Sequence, residues 1–354
     1  MKNSLVISAK DSGTSFDEII DVRTPAEFLL DHIPGAVNFP VLSNEERVIV
    51  GTKYKQESSF EAKKLGATLI ARNIAQHIES DFSKRAKNWR PLVYCWRGGK
   101  RSSAMGHILR QIGWDAQVLE GGYKTYRAQV VQDLKSLPVQ FKFQVISGRT
   151  GSAKSRVLEE LAVLGCQVLH LEALANHKGS VLGAYPHDLQ PSQKYFESQI
   201  VAQLKTFDCE QVIFIEAESK KVGALQVPED LITCIRSSPC IRIDASMDAR
   251  IGFLQSDYHY MIENPHLLAE KLQHLKALVG QEQLLLWQKS IEQQAWPDLI
   301  RSLLELHYDR LYDRSQGRNF DAYVHAPTLS TSDLSDQGIT QLALSIARDF
   351  NQSK

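Results

Sequence analysis

Short apolar runs alternate with longer amphipathic segments over the first two thirds of the chain. A short apolar run predicts a buried strand, and apolar residues spaced three and four apart predict a helix. In residues 1–128 this alternation predicts the strands Ile19–Val22, Leu92–Tyr94 and Val118–Leu119 and the helices Ser59–Ser80 and Ser102–Ile112. We therefore predict an α/β domain over residues 1–128.

A second α/β domain is predicted over residues 141–245, after a linker at residues 129–140. Its predicted strands alternate with helices and are Phe141–Ile146, Cys166–Leu171, Gln211–Ile215 and Ile241–Ile243. Strands connected in this way pair in parallel, so the pattern predicts a parallel sheet. From residue 246 to residue 354 helical spacing dominates, which predicts a helical C-terminal region.

The chain has 354 residues, of which 43% are hydrophobic and 23% charged, and its formal net charge is +0. This length predicts two or three domains. No apolar run is long enough to cross a bilayer and the N-terminus has no apolar leader core, so we expect a cytoplasmic protein with no membrane partner. The five cysteines form no Cys-x-x-Cys or Cys-x-x-His pair, so we predict neither a zinc site nor a disulfide framework.

Positive charge is concentrated around one cysteine. No acidic residue lies between Asp81 and Asp115, and the basic residues of that stretch are Lys84, Arg85, Lys87, Arg90, Arg97, Lys100, Arg101 and Arg110. Such a run is usually a solvated helix face. Because this run brackets Cys95, we favour a surface that collects anions.

Cys95 lies in a loop that favours a thiolate, with the sequence Tyr-Cys-Trp-Arg-Gly-Gly-Lys-Arg-Ser over residues 94–102. A predicted strand precedes the loop and a helix follows it, so backbone N–H groups and the positive end of the helix should face the sulfur. Arg97 and Arg101 add positive charge, which also favours the thiolate. The alternative is a buried structural cysteine, which needs neither the glycines nor the cations.

Residues 147–155, Ser-Gly-Arg-Thr-Gly-Ser-Ala-Lys-Ser, have the pattern of a phosphate-binding loop between a strand and a helix. Its candidate phosphate ligands, through backbone amides, an ammonium group and a hydroxyl, are Gly148, Gly151, Ser152, Lys154 and Ser155. Ser155 is also a candidate Mg²⁺ ligand. Ala153 stands where such loops usually have glycine, and because alanine disfavours positive φ we expect a distorted loop. The alternative is a chance glycine-rich turn.

Three acidic residues are expected near this loop, because ligands bind at the carboxyl ends of parallel strands. Glu172 follows the second predicted strand of the domain, and Glu216 and Glu218 follow the third. Each is a candidate to position Mg²⁺, water or a basic partner, or to form a structural ion pair. Lys178 is a candidate contact for phosphate or RNA.

The first domain resembles the rhodanese family. The resemblance rests on residues 21–28 (Asp-Val-Arg-Thr-Pro-Ala-Glu-Phe) and 32–40 (His-Ile-Pro-Gly-Ala-Val-Asn-Phe-Pro), followed by the strand and the cysteine loop. In that family the cysteine holds a transferable sulfur as a persulfide. Arg101 lies six residues after Cys95, a spacing that resembles the enlarged loop of rhodanese-like phosphatases and favours a phosphorylated donor.

A rhodanese domain joined to a phosphate-loop domain resembles the tRNA 2-selenouridine synthase family. Besides the domain order, the matching segments are residues 51–55 (Gly-Thr-Lys-Tyr-Lys), 94–102, 171–180 (Leu-Glu-Ala-Leu-Ala-Asn-His-Lys-Gly-Ser) and 215–219 (Ile-Glu-Ala-Glu-Ser). The resemblance implies a transferase that modifies the wobble uridine of tRNA in two steps. A 2-thiouridine is S-geranylated with geranyl diphosphate, and selenophosphate then supplies the selenium that replaces the sulfur.

The same resemblance implies a role for each loop. Cys95 is the essential thiol of selenation, Arg97 and Arg101 bind selenophosphate, and the phosphate loop binds diphosphate. Mg²⁺ is a candidate ion, no tightly bound cofactor is expected, and the partners are the two phosphate donors and tRNA with 2-thiouridine at the wobble position. The oligomeric state is left open. The candidate tRNA contacts, with helix-surface charge as the alternative, are Lys53, Lys55, Lys84, Arg85, Lys178, Arg310 and Arg314.

Three other functions fit parts of the sequence. A rhodanese-type phosphatase that uses Cys95 and Arg101 leaves the phosphate-loop domain unexplained. A phosphate-loop NTPase with a regulatory rhodanese domain would keep its nucleotide turnover in Cys95→Ser, and Ala153 argues against it. An RNA-binding protein with inactive loops would bind tRNA regardless of Cys95 or Lys154. We favour the selenouridine synthase because it gives each loop a substrate.

Overall fold

The structure, a computed structural model, describes residues 15–186, 188–320 and 322–351. The helices and strands up to residue 136 are β1 (Glu18–Asp21), α1 (Pro25–Leu30), β2 (Ala36–Asn38), α2 (Asn44–Gln56), α3 (Ser59–Ser80), β3 (Pro91–Tyr94), α4 (Lys100–Ile112), β4 (Gln117–Val118) and α5 (Gly122–Ser136). A capping box starts α1, because Thr24 Oγ1 accepts from the Glu27 amide while the Glu27 carboxylate accepts from the Thr24 amide.

The next elements along the chain are β5 (Lys142–Gly148), α6 (Lys154–Val163), β6 (Gln167–Leu169), α7 (Leu171–Leu174), α8 (Gln193–Leu204), β7 (Val212–Glu216), β8 (Lys221–Val222), β9 (Leu225–Gln226), α9 (Glu229–Arg236) and β10 (Cys240–Ala245). The remaining elements are α10 (Met247–Asp257), α11 (His259–Ile262), α12 (Pro265–Gln273), α13 (Lys276–Glu292), α14 (Trp296–Leu303), α15 (Asp309–Asn319), β11 (Thr328–Thr331) and α16 (Asp336–Asn351). A π-helical turn at Leu304–Tyr308 joins α14 to α15.

The chain forms two compact units. The first runs to Asp133 and includes Ser192–Ala202, and the second contains the other residues from Leu134 onward. In the first unit, four parallel strands are ordered β2-β1-β3-β4. Apolar side chains cover both faces of this sheet, as a parallel sheet requires. The predicted α/β fold of this part is confirmed.

A buried ion pair fixes the end of β1. Arg23 and Asp21 are 1% and 0% exposed, and Arg23 Nη2 lies 2.6 Å from Asp21 Oδ2. The same nitrogen donates to the Asp31 carbonyl at 2.6 Å, which ties the end of α1 to β1. Breaking such a pair leaves an unpaired buried charge, so this part of the rhodanese motif is structural.

The second unit contains a parallel sheet of five strands in the order β11-β10-β5-β7-β6. The predicted parallel sheet is confirmed. β5 lies in the centre with β10 and β7 beside it. The loop that follows β5 therefore lies at the carboxyl edge of the sheet, between two neighbouring strands. This is where ligands bind in open α/β sheets.

The C-terminal region differs from the all-helical prediction at one place. It is helical from α10 to α15, but β11 then pairs with β10, with Arg242 opposite Thr328. The helix α16 that follows packs in one apolar cluster with α6, for example Ile346 with Leu158. The last part of the chain therefore completes the sheet of the second unit.

Residues 129–140, for which the sequence predicts a linker, are mostly helical. Helix α5 continues to Ser136, and Pro138–Gln140 forms a short 3₁₀-helix before β5. Across the described ranges, no helix combines the length and apolar character that spanning a membrane requires.

Candidate active sites

Cys95 lies directly after β3, at the carboxyl end of the first sheet. The start of α5 contacts the loop that contains it, and there the Tyr123 amide donates to the Cys95 carbonyl at 2.9 Å. Gly122 permits this approach, because it has φ +57° and a Cβ there would lie 2.2 Å from the Cys95 carbonyl oxygen. The loop therefore has a supported backbone that aims the sulfur.

The Cys95 sulfur accepts hydrogen bonds that favour a thiolate. The Gly99 amide donates to Sγ at 3.2 Å and the Ser102 hydroxyl donates at 3.1 Å. Burial raises the pKa of the Cys95 thiol, but hydrogen bonds from Ser102 and from the backbone of Arg97 and Gly99 together lower it by more. The resulting pKa lies below its ordinary value. The loop thus favours the thiolate form of Cys95, which is the more nucleophilic form.

We expect Ser102→Ala to move the titration of Cys95 to higher pH. The substitution removes a donor to the thiolate, so the thiol pKa rises and less thiolate is present at neutral pH. The rate of Cys95 alkylation by iodoacetamide is followed from pH 5 to 10 by mass spectrometry. It should rise with pH in both proteins and reach its plateau at a higher pH in the variant. Ser103→Ala, an exposed neighbour on α4, is the matched control. Coincident profiles for Ser102→Ala and wild type would contradict this assignment.

Four cations surround the pocket above Cys95, which has a volume of about 440 Å³. They are Arg47, Arg97, Lys100 and Arg101. Arg101 forms a bidentate pair with the Glu27 carboxylate at 2.7 and 3.2 Å. Burial raises the pKa of Glu27, but the pair with Arg101 acts in the opposite direction, and the resulting pKa lies below its ordinary value. The carboxylate therefore stays ionised and orients Arg101. An anion beside the sulfur would meet an excess of positive charge.

Arg47 is a cation of this pocket that the sequence interpretation missed. It lies on α2, a helix with no buried residue and therefore no apolar stripe that could have revealed it. Packing of the first unit brings Arg47 to the pocket with residues 95–101, about fifty positions away in the chain. No local pattern signals that approach.

The basic run around Cys95 is less uniform than its charge suggests. Arg85 pairs with Glu18 at 2.9 Å, and Arg90 pairs with Asp115 at 3.3 Å. Arg110 donates to the Ala116 carbonyl at 2.8 Å. The predicted anion-collecting surface is therefore confined mainly to the cysteine pocket, and several outer cations have acidic or carbonyl partners.

In the second unit, the phosphate loop keeps its usual left-handed turn despite Ala153. Ala153 has φ 58° and ψ 25°, so the expected distortion does not occur. An alanine in this conformation costs about 1–2 kcal/mol. Ala153 is buried in the cluster that contains Val157 and Ile146, and these contacts hold it in place. The loop can therefore present its amides as a glycine-containing loop does.

The helix α15 lies against the phosphate loop. The Gly148 amide donates to the Tyr312 hydroxyl at 2.7 Å, and Arg149 forms a bidentate pair with Asp313 at 3.0 and 2.6 Å. Lys154 Nζ donates to the Gly148 carbonyl at 2.6 Å and lies 5.6 Å from the centroid of the Tyr312 ring. The sequence interpretation missed Tyr312 and Asp313, because only tertiary packing places them at the loop.

The three predicted acidic residues lie together beside Lys154. The Ser155 hydroxyl donates to Glu172 at 2.6 Å, and the Glu172 amide donates to Glu216 at 2.6 Å. Burial raises the pKa of Glu218 well above its ordinary value, and the neighbouring carboxylate of Glu172 raises it further. Burial lowers the pKa of Lys154, which the surrounding carboxylates oppose. The carboxylates thus offset only part of the effect of burial, and the pKa of Lys154 stays below its ordinary value.

Two buried oxygens of this site, Ser152 Oγ and Glu216 Oε2, have no hydrogen-bond partner among the described residues. Buried polar atoms are usually paired, so their position favours a polar ligand in the loop. The described residues contain no group of three or more His, Cys, Asp or Glu side chains that could hold a metal ion. Ser155 and Glu172 provide only two oxygen ligands, the number that Mg²⁺ takes when a phosphate supplies others.

Lys178 is not presented as a surface cation, which differs from its predicted role as a phosphate or RNA contact. Its ammonium lies 2.7 Å from Asp257 Oδ2 and donates to the Asp257 carbonyl at 2.6 Å. The same group lies 4.5 Å from the centroid of the Tyr258 ring, with the rings of Tyr185 and Tyr260 also close. An ion pair inside an aromatic cage leaves it little freedom for RNA.

The other candidate tRNA contacts divide into two groups. Lys55 and Lys84 are exposed in the first unit, and Arg310 and Arg314 are exposed on α15. Lys53 is half-buried and pairs with Glu57, and Arg85 pairs with Glu18 as described above. The first group keeps its charge available to an outside partner.

Comparison with known proteins matches both units. Residues 6–129 match the family described as "Rhodanese-like domain", and residues 141–271 match "tRNA 2-selenouridine synthase AAA domain". A protein named tRNA 2-selenouridine synthase from Nitrosomonas europaea is 35% identical over 251 residues, which cover 68% of this chain and 63% of that protein. The chain thus spans slightly less than two thirds of that relative.

Two further relatives with the same name are covered more fully. The protein from Sulfurovum sp. is 31% identical over 312 residues, covering 86% of this chain and 83% of that protein. The protein from Shewanella halifaxensis is 33% identical over 252 residues, covering 70% of this chain and 68% of that protein.

Proposed function

The chain belongs to the tRNA 2-selenouridine synthase family, and from this premise we propose that it replaces the sulfur of wobble 2-thiouridine by selenium through an S-geranyl intermediate. The observation that supports this function best is the pocket of Cys95. It combines a thiol of lowered pKa with four cations in a volume of about 440 Å³. That volume accepts a small oxyanion together with a pyrimidine base.

Selenophosphate fits this pocket as a phosphorylated donor. Its oxyanion would bind Arg97 and Arg101, with Arg47 and Lys100 adding charge, while the selenium faces the Cys95 sulfur. The ring of Trp96 packs against Tyr123, with 5.2 Å between the ring centroids. Its exposed surface is one on which an unstacked base can stack. The pocket would then hold donor and acceptor together.

Geranyl diphosphate fits the phosphate loop. The amides of Gly151 and Ser152 would bind the diphosphate, while the Gly148 amide keeps its contact with the Tyr312 hydroxyl. Lys154 would move from the Gly148 carbonyl to a phosphate oxygen. Ser155 and Glu172 would hold Mg²⁺ when it is bound, and the ion would neutralise charge on the departing diphosphate. The pair between Arg149 and Asp313 and the Tyr312 hydroxyl would position α15 over the bound group.

The proposed reaction has two steps. In the first, the sulfur on C2 of the base bonds to C1 of the geranyl group, the C1–O bond to diphosphate breaks, and the N3 proton passes to solvent. In the second, the Cys95 thiolate would bond to C2 while the C2–S bond to the geranyl sulfur breaks, and geranylthiol leaves with a proton from solvent. Selenium would then bond to C2, the C2–Sγ bond would break to return the Cys95 thiolate, and water would take the phosphoryl group of selenophosphate as phosphate. Alkylation helps because the alkylated sulfur is a better leaving group than a thiocarbonyl.

The tRNA would be bound by cations that remain exposed. Lys55 and Lys84 on the first unit and Arg310 and Arg314 on the second meet this condition. Contacts to phosphates position a nucleic acid without reading its sequence, so these residues would contribute affinity and salt dependence rather than base choice.

The direct test of the proposed function is nucleoside mass spectrometry. The purified protein is incubated with 2-thiouridine-containing tRNA, geranyl diphosphate and selenophosphate, and the tRNA is digested and analysed. We expect S-geranyl-2-thiouridine and then 2-selenouridine. If tRNA is bound but neither nucleoside forms, the proposal is wrong, and hydrolysis of aryl phosphates and of nucleotides then distinguishes the phosphatase and NTPase alternatives.

We expect Arg47→Ala to weaken selenophosphate binding without changing geranylation. Removing one of four cations around an anion should raise KM for selenophosphate by about ten-fold or more, since a charge-assisted contact contributes about 1.5–3 kcal/mol. KM and kcat for selenation of S-geranylated tRNA measure the effect. Lys64→Ala, which removes an exposed cation of α3 that pairs with Glu61, is the control. An unchanged KM in Arg47→Ala would exclude Arg47 from the donor site.

A further inference from the structure

An apolar cavity of about 70 Å³ lies in the second unit. Its walls are mainly hydrocarbon side chains from α11, α12 and α14, namely Met261, Leu268, Trp296, Leu299, Ile300 and Leu303. Its lining contains no charged side chain among the described residues. Polar ligands such as a nucleotide base need convergent hydrogen-bond partners, which walls of this kind do not supply.

The cavity shares a wall with the phosphate loop. Thr150, a residue of the loop, lines the cavity, and its carbonyl accepts from Arg250 Nε at 2.8 Å. Leu254 of α10 also lines the cavity and packs directly on the loop, since a Cβ on Gly151 would lie 2.8 Å from Leu254 Cδ1. A ligand bound through phosphate in the loop therefore has an apolar space immediately beside it.

The few polar groups of the cavity lie on the side of the phosphate site. Ser180 follows Gly179, and a Cβ on Gly179 would lie 2.2 Å from Glu172 and 2.7 Å from Glu218. Tyr308 also lines the cavity, and burial raises its pKa to about 12, so it is uncharged at neutral pH. The cavity thus changes from hydroxyl groups near the loop to hydrocarbon at the helices.

We propose that this cavity binds the hydrocarbon chain of an allylic prenyl diphosphate whose diphosphate lies in the phosphate loop. The proposal rests on the proposed function, which supplies the diphosphate, and adds the residues that select the chain. At about 10–15 Å³ for each water-sized group, the cavity holds roughly five to seven such groups. That size holds a chain of five carbons whole and half or more of a chain of ten, but less than half of a chain of fifteen.

The test compares the binding of geranyl diphosphate with that of inorganic diphosphate by titration calorimetry on the full chain. Wild type should prefer geranyl diphosphate by about ten-fold or more, which burial of only two methylene groups already gives. Ile300→Trp fills the cavity from a half-buried position and should reduce this preference to about two-fold or less, with inorganic diphosphate bound as before. Leu285→Trp, an exposed position of α13, is the matched control.

A second variant protects the test against misfolding. Ile300→Ala enlarges the cavity and should raise the affinity for farnesyl diphosphate by about five-fold or more relative to geranyl diphosphate. Thermal unfolding shows whether each variant is folded. The inference is overturned if wild type shows no preference over inorganic diphosphate, or if folded Ile300 variants keep wild-type preferences.

Prenyl transfer separates this inference from the proposed function. A protein that prefers geranyl diphosphate through Ile300 but transfers nothing to 2-thiouridine would keep the cavity assignment and lose the proposed reaction. A protein that geranylates tRNA, while its Ile300 variants keep the wild-type preference, would keep the reaction and lose the cavity assignment.

Discussion

We expect Cys95→Ser to reduce the selenation rate by about 10³-fold or more, while S-geranylation and tRNA binding stay within about two-fold of wild type. The sulfur is held by the Gly99 amide and the Ser102 hydroxyl in a form that favours its anion. A serine hydroxyl in the same place stays protonated and is a far weaker nucleophile. Nucleoside mass spectrometry should therefore show S-geranyl-2-thiouridine accumulating without 2-selenouridine.

The control for this variant is another cysteine. Cys209 is an exposed free thiol of the second unit, and Cys209→Ser should leave the rates of both steps unchanged. The serine for Cys95 is nearly isosteric, so both proteins should unfold at wild-type temperatures. An unchanged selenation rate in Cys95→Ser would remove this residue from the reaction, whatever else the pocket binds.

We expect Lys154→Ala to reduce the rate of S-geranylation by about 10²–10³-fold, the usual cost of removing one donor that stabilises a transition state. Its ammonium donates to the Gly148 carbonyl, next to the amides that would hold the diphosphate. Alanine leaves the developing charge of that leaving group unpaired. Selenation of tRNA that is already S-geranylated should be unaffected, because that step needs no diphosphate.

Lys142→Ala is the matched control for this variant. Lys142 is exposed at the first residue of β5, at the opposite end of the strand from the loop, so its loss changes net charge equally without approaching the site. Initial rates of geranylation over a range of geranyl diphosphate concentrations compare the three proteins. Full geranylation by Lys154→Ala would place the diphosphate elsewhere.

The sequence predicts both loops well because each depends on residues close together in the chain. Cys95 follows an apolar strand and precedes a helix, and the structure has β3 before it and α4 after it. The phosphate loop likewise lies between β5 and α6. In such loops the backbone itself binds the ligand, so a short motif between a strand and a helix determines most of the geometry.

The residues that the sequence did not predict reach their sites through long-range packing. Tyr312 and Gly148 are 164 positions apart, and their contact depends on where α15 packs. Arg47 reaches the cysteine pocket from a helix without buried residues. The strand β11 was not predicted, because Thr328–Thr331 contains no apolar run. Its positions alternate between exposed and half-exposed at a sheet edge.

Ala153 shows why a single unfavourable residue is weak evidence. Its positive φ is disfavoured by about 1–2 kcal/mol, which suggested a distorted loop. The structure keeps the turn, since the methyl group is buried among Val157, Leu158 and Ile146. Local preference of this size is easily outweighed by packing.

The central claim is that two loops perform two separable steps, and one measurement tests it directly. tRNA is S-geranylated by Cys95→Ser protein, repurified, and given to Lys154→Ala protein with selenophosphate but no geranyl diphosphate. Nucleoside mass spectrometry should then show 2-selenouridine forming at nearly the wild-type rate, although neither variant makes it alone from 2-thiouridine. Failure of folded Lys154→Ala to convert the S-geranylated tRNA, or its direct selenation of 2-thiouridine, would contradict the division of labour.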